Sequence, residues 1–198
     1  TACFFVLRLL STTLDLEREH YAEEALIDGV RETDKRQGYL GPIAQLVDAH
    51  GRYDEKKVQK TLDVVEKKVL HGKPPEEGYP VMAVVTEVDG EHQWATVRIG
   101  ADLTAILPLA GMRWARKPNP QQSWEFHKIE DVHAVVKAGD VVLVQPWFSR
   151  DKFLAHAMGV DQTIQKLPDD VDVKPSHPLC TLDQVPRVDG ALRPLLEL

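Results

Sequence analysis

From Tyr79 to Val144, and again from Leu179 to Val185, the chain is written in short apolar segments separated by close turn signals. Tyr79 to Val88 reads as a strand. Asp89-Gly90 is a dipeptide that accepts positive φ at the centre of a hairpin. His92 to Ile99 follows, with Ala95, Val97 and Ile99 on one face and Trp94, Thr96 and Arg98 on the other. That two-residue alternation belongs to a half-buried strand. Gly100-Ala101-Asp102 turns the chain into Leu103 to Leu109. Gly139-Asp140 opens Val141-Val142-Leu143-Val144, an almost continuous apolar run. Five short strands with this pattern and these turns predict a small closed antiparallel barrel of the OB type.

The part before the barrel has a different period. Asp15 reads as an N-cap, and Ala22, Ala25, Leu26 and Val30 recur at helical spacing over residues 16 to 36. Glu17, Arg18, Glu24, Asp28 and Lys35 then form the exposed face. Gly38 ends the helix and Gly41-Pro42 forbids its continuation. A second helix runs from Asp54 to His71, with Val58, Leu62, Val65 and Val69 as its stripe, Asp54 as cap and Gly72 as stop. Lys56, Lys57, Lys60, Lys67 and Lys68 lie off that stripe. They read as a solvated face, because Glu55, Asp63 and Glu66 are interleaved with them. Pro74-Pro75-Glu76-Glu77-Gly78 is a linker. Cys3 to Thr13 and Gly190 to Leu198 read as strands, the second interrupted by Pro194. The predicted class is therefore α+β: an N-terminal strand and helices, then the barrel. Trp147 to Pro178 is a long connection, ending in a polar loop.

Charge narrows the partners. The chain has 31 acidic and 24 basic side chains, a net charge of −7. Binding phosphates needs a positive footprint, so a nucleic-acid partner is not expected. Adsorption to an acidic membrane surface is disfavoured for the same reason. The longest apolar run, Ala2 to Leu10, is interrupted by Arg8 and is far short of the roughly 20 residues that span a bilayer. It lacks the features of a signal peptide and reads as a buried strand. An abrupt start on such a strand suggests a fragment. Cys3 and Cys180 form no Cys-x-x-Cys pair. They read as two buried thiols, a disulfide between them being the less favoured alternative.

Candidate chemistry is sparse. Trp114 stands between Arg113 and Arg116, directly after Ala105-Ile106-Leu107-Pro108-Leu109 and before a break at Pro118 and Pro120. The favoured reading is a core-capping indole with solvated arginines. The alternative is a docking edge made of Arg113, Trp114 and Arg116, since Trp and Arg anchor interfaces. Ser149-Arg150-Asp151-Lys152 matches Ser-x-x-Lys, in which a serine at a helix start loses its proton to a lysine one turn on. Here it follows a strand and reads as a hairpin turn, so a Ser149 hydrolase is not favoured. The eight histidines are scattered, with His127 and His133 the nearest pair, and no zinc set is completed. Gly38-Tyr39-Leu40-Gly41 lacks the Lys-Ser or Lys-Thr of a phosphate loop. No cofactor or metal is expected. Trp94, Trp114, Trp124 and Trp147 read as core and edge packing.

Three blocks carry a resemblance. Leu107 to Arg116, ending Gly-Met-Arg-Trp-Ala-Arg, is one. Asp34-Lys35-Arg36-Gln37-Gly38-Tyr39-Leu40-Gly41-Pro42 and Gln184-Val185-Pro186-Arg187-Val188-Asp189-Gly190-Ala191-Leu192 are the others. In this order they resemble the insert region of class A, bifunctional penicillin-binding proteins of the penicillin-binding protein 1A type. The resemblance implies an OB-like domain set between linker and transpeptidase body. Residues 1–45 would be a strand and linker helix, 46–77 a helical segment and linker, 78–186 the barrel and 187–198 a returning strand, with the two ends of the chain adjacent. It further implies a periplasmic parent anchored to the inner membrane, which polymerises lipid II glycan strands and cross-links their peptides. This piece would carry neither active site. Ser149-x-x-Lys152 lacks the companion Ser-x-Asn and Lys-Thr-Gly or Lys-Ser-Gly motifs, and Glu130 to Gly139 only partly mimics the glycosyltransferase motif, with Ala134 and Lys137 in the wrong places. Partners implied are the parent's glycosyltransferase and transpeptidase domains. In some relatives an outer-membrane lipoprotein activator meets this region. The alternative is a free-standing OB-fold binding single-stranded nucleic acid or glycan.

Overall fold

The computed structural model describes residues 15–48, 50, 52–119, 121, 128–160 and 177–184. The expected strands Cys3 to Thr13 and Gly190 to Leu198, the adjacency of the ends, Trp124, His127 and most of the polar loop lie outside these residues. No described helix is long and apolar enough to cross a membrane.

Helix α1 spans Leu16–Gln37. The Asp15 carboxylate accepts the N–H groups of Glu17 (3.2 Å) and Arg18 (3.4 Å), which satisfies donors that the first turn leaves open. Acidic side chains in the first turn and basic ones in the last suit the helix dipole. Gly38 stops it at φ 103°, a backbone state that costs other residues strain. A Cβ there would sit 2.8 Å from the Arg116 carbonyl oxygen.

The faces of α1 are not those expected. Ala22, Ala25, Leu26 and Val30 are all exposed, while Lys35, assigned to the exposed face, is 5% exposed. The reason is geometric. The helix is about 33 Å long at 1.5 Å per residue, and it is the C-terminal part that carries its buried side chains.

Strand β1, Ala44–Gln45, pairs with a later strand. Helix α2, Glu55–Val65, is capped by Asp54 and buries Val58, Leu62 and Val65 as the stripe predicts. A π turn, Glu66–Leu70, follows. The wider turn shifts the phase, and Val69 comes out to the surface. His71 and Gly72, both at positive φ, end the element.

Strands β2 (Val81–Asp89), β3 (Trp94–Ile99), β4 (Leu103–Pro108), β5 (Asp140–Trp147) and β6 (Leu179–Asp183) close on one another. The sheet order is β1-β5-β2-β3-β4-β6, and β5 pairs with β6 again. Closure removes the open edges of the five long strands. The barrel is OB-like, but not wholly antiparallel: β4 and β6 run parallel, joined at Ile106 and Leu179. Inside lie Ala83, Val85, Ala95, Val97, Ala105, Leu107, Val142, Val144 and Leu182, with Val65 of α2 and Met112 added.

Two local readings are corrected. The β2–β3 connection is a hairpin, but its positive φ falls on Gln93 (58°) and not on Gly90. The Asp89 carboxylate instead accepts the N–H groups of Glu91 and His92 and builds a longer loop. Ser149 does not lie in a hairpin turn either. It precedes helix α3, Arg150–Val160, and its carbonyl accepts the Phe153 N–H at 3.0 Å. Phe153 and Ala157, one turn apart, seal α3 on Leu179 of β6.

Candidate functional site

The end of α1, the loop after β4 and the end of β6 meet at one point. The loop starts with a 3-10 turn, Leu109–Gly111. Gly111 is required there, because a Cβ would lie 2.6 Å from the Cys180 carbonyl oxygen. This close approach carries Met112 into the core and leaves Trp114 against its rim. Tyr39 meets the indole edge to face at 5.9 Å. Lys35 Nζ lies 5.6 Å from the ring centroid, within cation–π range.

Arg116 is not a solvated arginine; it is 8% exposed. It donates to the Arg36 carbonyl at 2.9 Å and to the Lys117 carbonyl at 3.4 Å. The first bond satisfies an acceptor that the last turn of α1 leaves open. Its own carbonyl accepts the Tyr39 N–H at 2.7 Å. Arg113 is half-buried, and its carbonyl accepts the Ile129 N–H. The core-capping reading of Trp114 is thus joined to a polar clamp that the sequence did not announce.

The clamp continues in β6. Asp183, 2% exposed, faces Lys35 at 3.6 Å and Arg31 at 3.8 Å. Burial holds the Lys35 amine below its ordinary value, and the Asp183 carboxylate works against that shift. Gln184 donates to the carbonyls of Asp34 (3.1 Å) and Gly38 (3.4 Å), and its amide oxygen accepts the Leu40 N–H at 3.4 Å. His156 of α3 packs on Trp147, ring to ring at 4.8 Å. Burial first, and then the charge of Lys35, bring its imidazole down to about 4. Its Nε2 and the Trp114 Nε1 are buried without a hydrogen-bond partner.

The crevice between Lys35, Trp114, His156 and Thr181 has about 10 Å³ of room, space for roughly one water molecule. That is too little for a substrate. Elsewhere, the Lys152 amine is held by the Glu77 carboxylate, which also accepts the Phe148 N–H. The hydrogen bond from Lys152 holds the Glu77 carboxyl below its usual range. This lysine is engaged as an ion-pair donor. Cys180 is buried in β6, and burial pushes its thiol up. No cluster of His, Cys, Asp and Glu among the described residues could hold a metal ion.

The described parts of the three sequence blocks, of which Gln184 is the third block's one described residue, therefore meet at the end of α1. Asp34 to Tyr39 is touched from both sides, by Arg116 at Arg36 and by Gln184 at Asp34, the latter across 150 residues of chain. Arg31, Asp183 and His156 complete the cluster and were missed. An Asp ending the apolar run Leu179 to Leu182 was the one available signal for Asp183.

A family model described as the penicillin-binding protein OB-like domain matches residues 39–188. Penicillin-binding protein 1A of Rickettsia typhi (strain ATCC VR-144 / Wilmington) is 29% identical over 135 residues, covering 68% of this chain and 14% of that protein. Penicillin-binding protein 1A of Rickettsia prowazekii (strain Madrid E) is 27% identical over the same length, with the same coverage. The chain thus spans 14% of the length of these curated relatives. A crystal structure of penicillin-binding protein 1A from Haemophilus influenzae matches with a TM-score of 0.46 and 16% identity, over 88% of this chain and 18% of that one.

Proposed function

This chain belongs to the family of penicillin-binding protein OB-like domains, and from that premise we propose that it is a non-catalytic spacer and docking module of a bifunctional peptidoglycan synthase. The parent would polymerise glycan strands and cross-link their peptides in the bacterial periplasm, anchored to the inner membrane outside this stretch. The module's task is to hold a linker helix at a fixed angle to the barrel, so that the catalytic domains keep a working separation.

One observation carries this reading. The helix that precedes the matched span is locked onto the span by Arg116, Asp183 and Gln184. A passive tether would not need buried charge to fix its direction, because desolvating charges costs several kcal/mol each. Regulator docking at Arg113 and Trp114 is a secondary role, in which Arg116, buried in the clamp, takes no direct part. An outer-membrane lipoprotein activator is the partner that the resemblance suggests for it.

The test is made in the full-length parent. Gly38→Val and Gln184→Leu should loosen the clamp while labelling by a fluorescent penicillin persists. Glycan polymerisation and cross-linking should then uncouple, with cross-linking per disaccharide falling severalfold. Unchanged coupling in both variants would refute the spacer role.

A further inference from the structure

The lysines of α2 looked neutralised in the sequence, because acidic residues are interleaved with them. The structure turns most of those acids elsewhere. Glu55 pairs with Arg98 of β3 at 3.3 Å. The Glu66 carboxylate faces inward to the Ala101 N–H at 3.4 Å. Asp63 stays on the surface, where the Gln59 amide holds it at 3.0 Å. Lys57 is drawn to the Val47 carbonyl and Asp54. Lys56, Lys60 and Lys67 are exposed, with no ion-pair or hydrogen-bond partner for their amines among the described residues. At 3.6 residues per turn they fall along one side of the element, over about 16 Å, with Asp63, tied to the Gln59 amide, on the same side between Lys60 and Lys67. In a chain of net charge −7 this side sets three ammonium groups against the one carboxylate of Asp63, a local positive excess.

We propose that this lysine line is a docking rail for a carboxylate-bearing glycan–peptide polymer. The inference rests on the proposed function, which supplies the polymer: peptidoglycan, whose stem peptides carry spaced carboxylates. Charge complementarity selects the occupant. A row of ammonium groups along a rod fits a linear polyanion through charge-assisted contacts. A lipid surface fits less well. Interfacial helices bury an apolar face between their basic residues, and Val69 is the one large apolar side chain this element exposes.

The experiment is co-sedimentation of the full chain with purified insoluble peptidoglycan at low salt. Binding should weaken about tenfold in the triple variant Lys56→Gln, Lys60→Gln, Lys67→Gln, as expected for the loss of three exposed charge contacts. It should persist in the corresponding triple arginine variant, which keeps the charge and controls for folding. Converting the polymer's carboxylates to amides should weaken binding as much as the glutamine variant does, and so should added salt. Undiminished binding by the glutamine triple, or to amidated polymer, would overturn the proposal. So would equal or tighter binding to phosphatidylglycerol vesicles. Failure here alongside uncoupling in the Gly38 and Gln184 variants would remove the rail and leave the spacer role standing.

Discussion

The two ends of α1 are built by opposite rules. Its N-terminal two thirds expose Tyr21, Leu26, Ile27 and Val30, with Leu26 at 67%. Its last turns bury Lys35 and half-bury Arg31. Apolar side chains face water while charged ones are enclosed. A helix stabilised by burying an apolar stripe would do the reverse. Helix α1 is therefore attached at one end, by directed polar contacts. Such contacts fix an angle, whereas apolar packing alone tolerates rearrangement.

The sharpest way to break this contrast is to remove Asp183. Asp183→Ala leaves Lys35 buried and unpaired, and should cost about 3–5 kcal/mol, read as a fall in thermal or urea stability. The double variant Lys35→Met, Asp183→Leu should recover most of that loss, because an apolar pair of similar volume needs no desolvation of charge. If the single variant is neutral, the buried pair does not hold the junction. If the double variant is as unstable as the single, the missing element is shape and not charge.

Next in size is Arg116→Ala. The sequence reading placed Arg116 in solvent, where its loss would cost about 0–1 kcal/mol. Its burial, and its bond to the Arg36 carbonyl at the end of α1, raise the expected cost to roughly 1–3 kcal/mol. Hydrogen exchange should show faster opening of the last turn of α1 and little change in β2 and β3. Equal protection along the helix in both proteins would count against the cap.

The barrel was legible because each strand states its own inward face by alternation: Ala95, Val97 and Ile99 needed no distant partner to be assigned. Helix α2 was legible through Val58, Leu62 and Val65 for the same reason. The parallel closing pair was not, because β4 and β6 are far apart in the chain and alternation says nothing about direction. Helix α3 was missed because its inward signal is only Phe153 and Ala157, one turn apart, after a strand that suggested a hairpin. The clamp was least legible of all. Lys35 has the local sequence of a solvated lysine, and its counter-charge, Asp183, is adjacent in space but stands on a strand far along the chain. The resemblance picked out blocks whose described residues meet at the end of α1, and physical reading of each block alone did not reveal that meeting.

A smaller effect sharpens the clamp's electrostatics. His156 is held near 4 against an ordinary 6.5. Between these values the unfolded chain binds more protons than the folded one, so stability rises with pH there and falls as pH drops. The loss is complete below about 4. Partial exposure discounts the size to about 1 kcal/mol, or roughly 2–4 °C in Tm. His156→Gln should flatten that part of the profile from pH 4 to 6.5. A profile with the same slope in both proteins would place the acid sensitivity elsewhere, and not in buried Asp140, because burial pushes its carboxyl up and a raised carboxyl gains stability as pH falls.

The smallest expected effect belongs to the other end of α1. Leu26→Ser and Val30→Ser remove apolar side chains that are exposed in this chain. Surface changes of this kind fall within about ±0.5 kcal/mol, and lower helix propensity accounts for much of that range. The same substitutions in the full-length parent are informative because the spacer reading requires something to meet this helix there. Covering Leu26 and Val30 would convert each into a buried large-to-small change, with a cost of about 2–3 kcal/mol expected by analogy with core truncations. A cost confined to the parent would assign the apolar end to the rest of that chain and the polar end to the barrel. A cost of that size already present in this chain would mean that α1 is held along its whole length, and the contrast between its ends would fail.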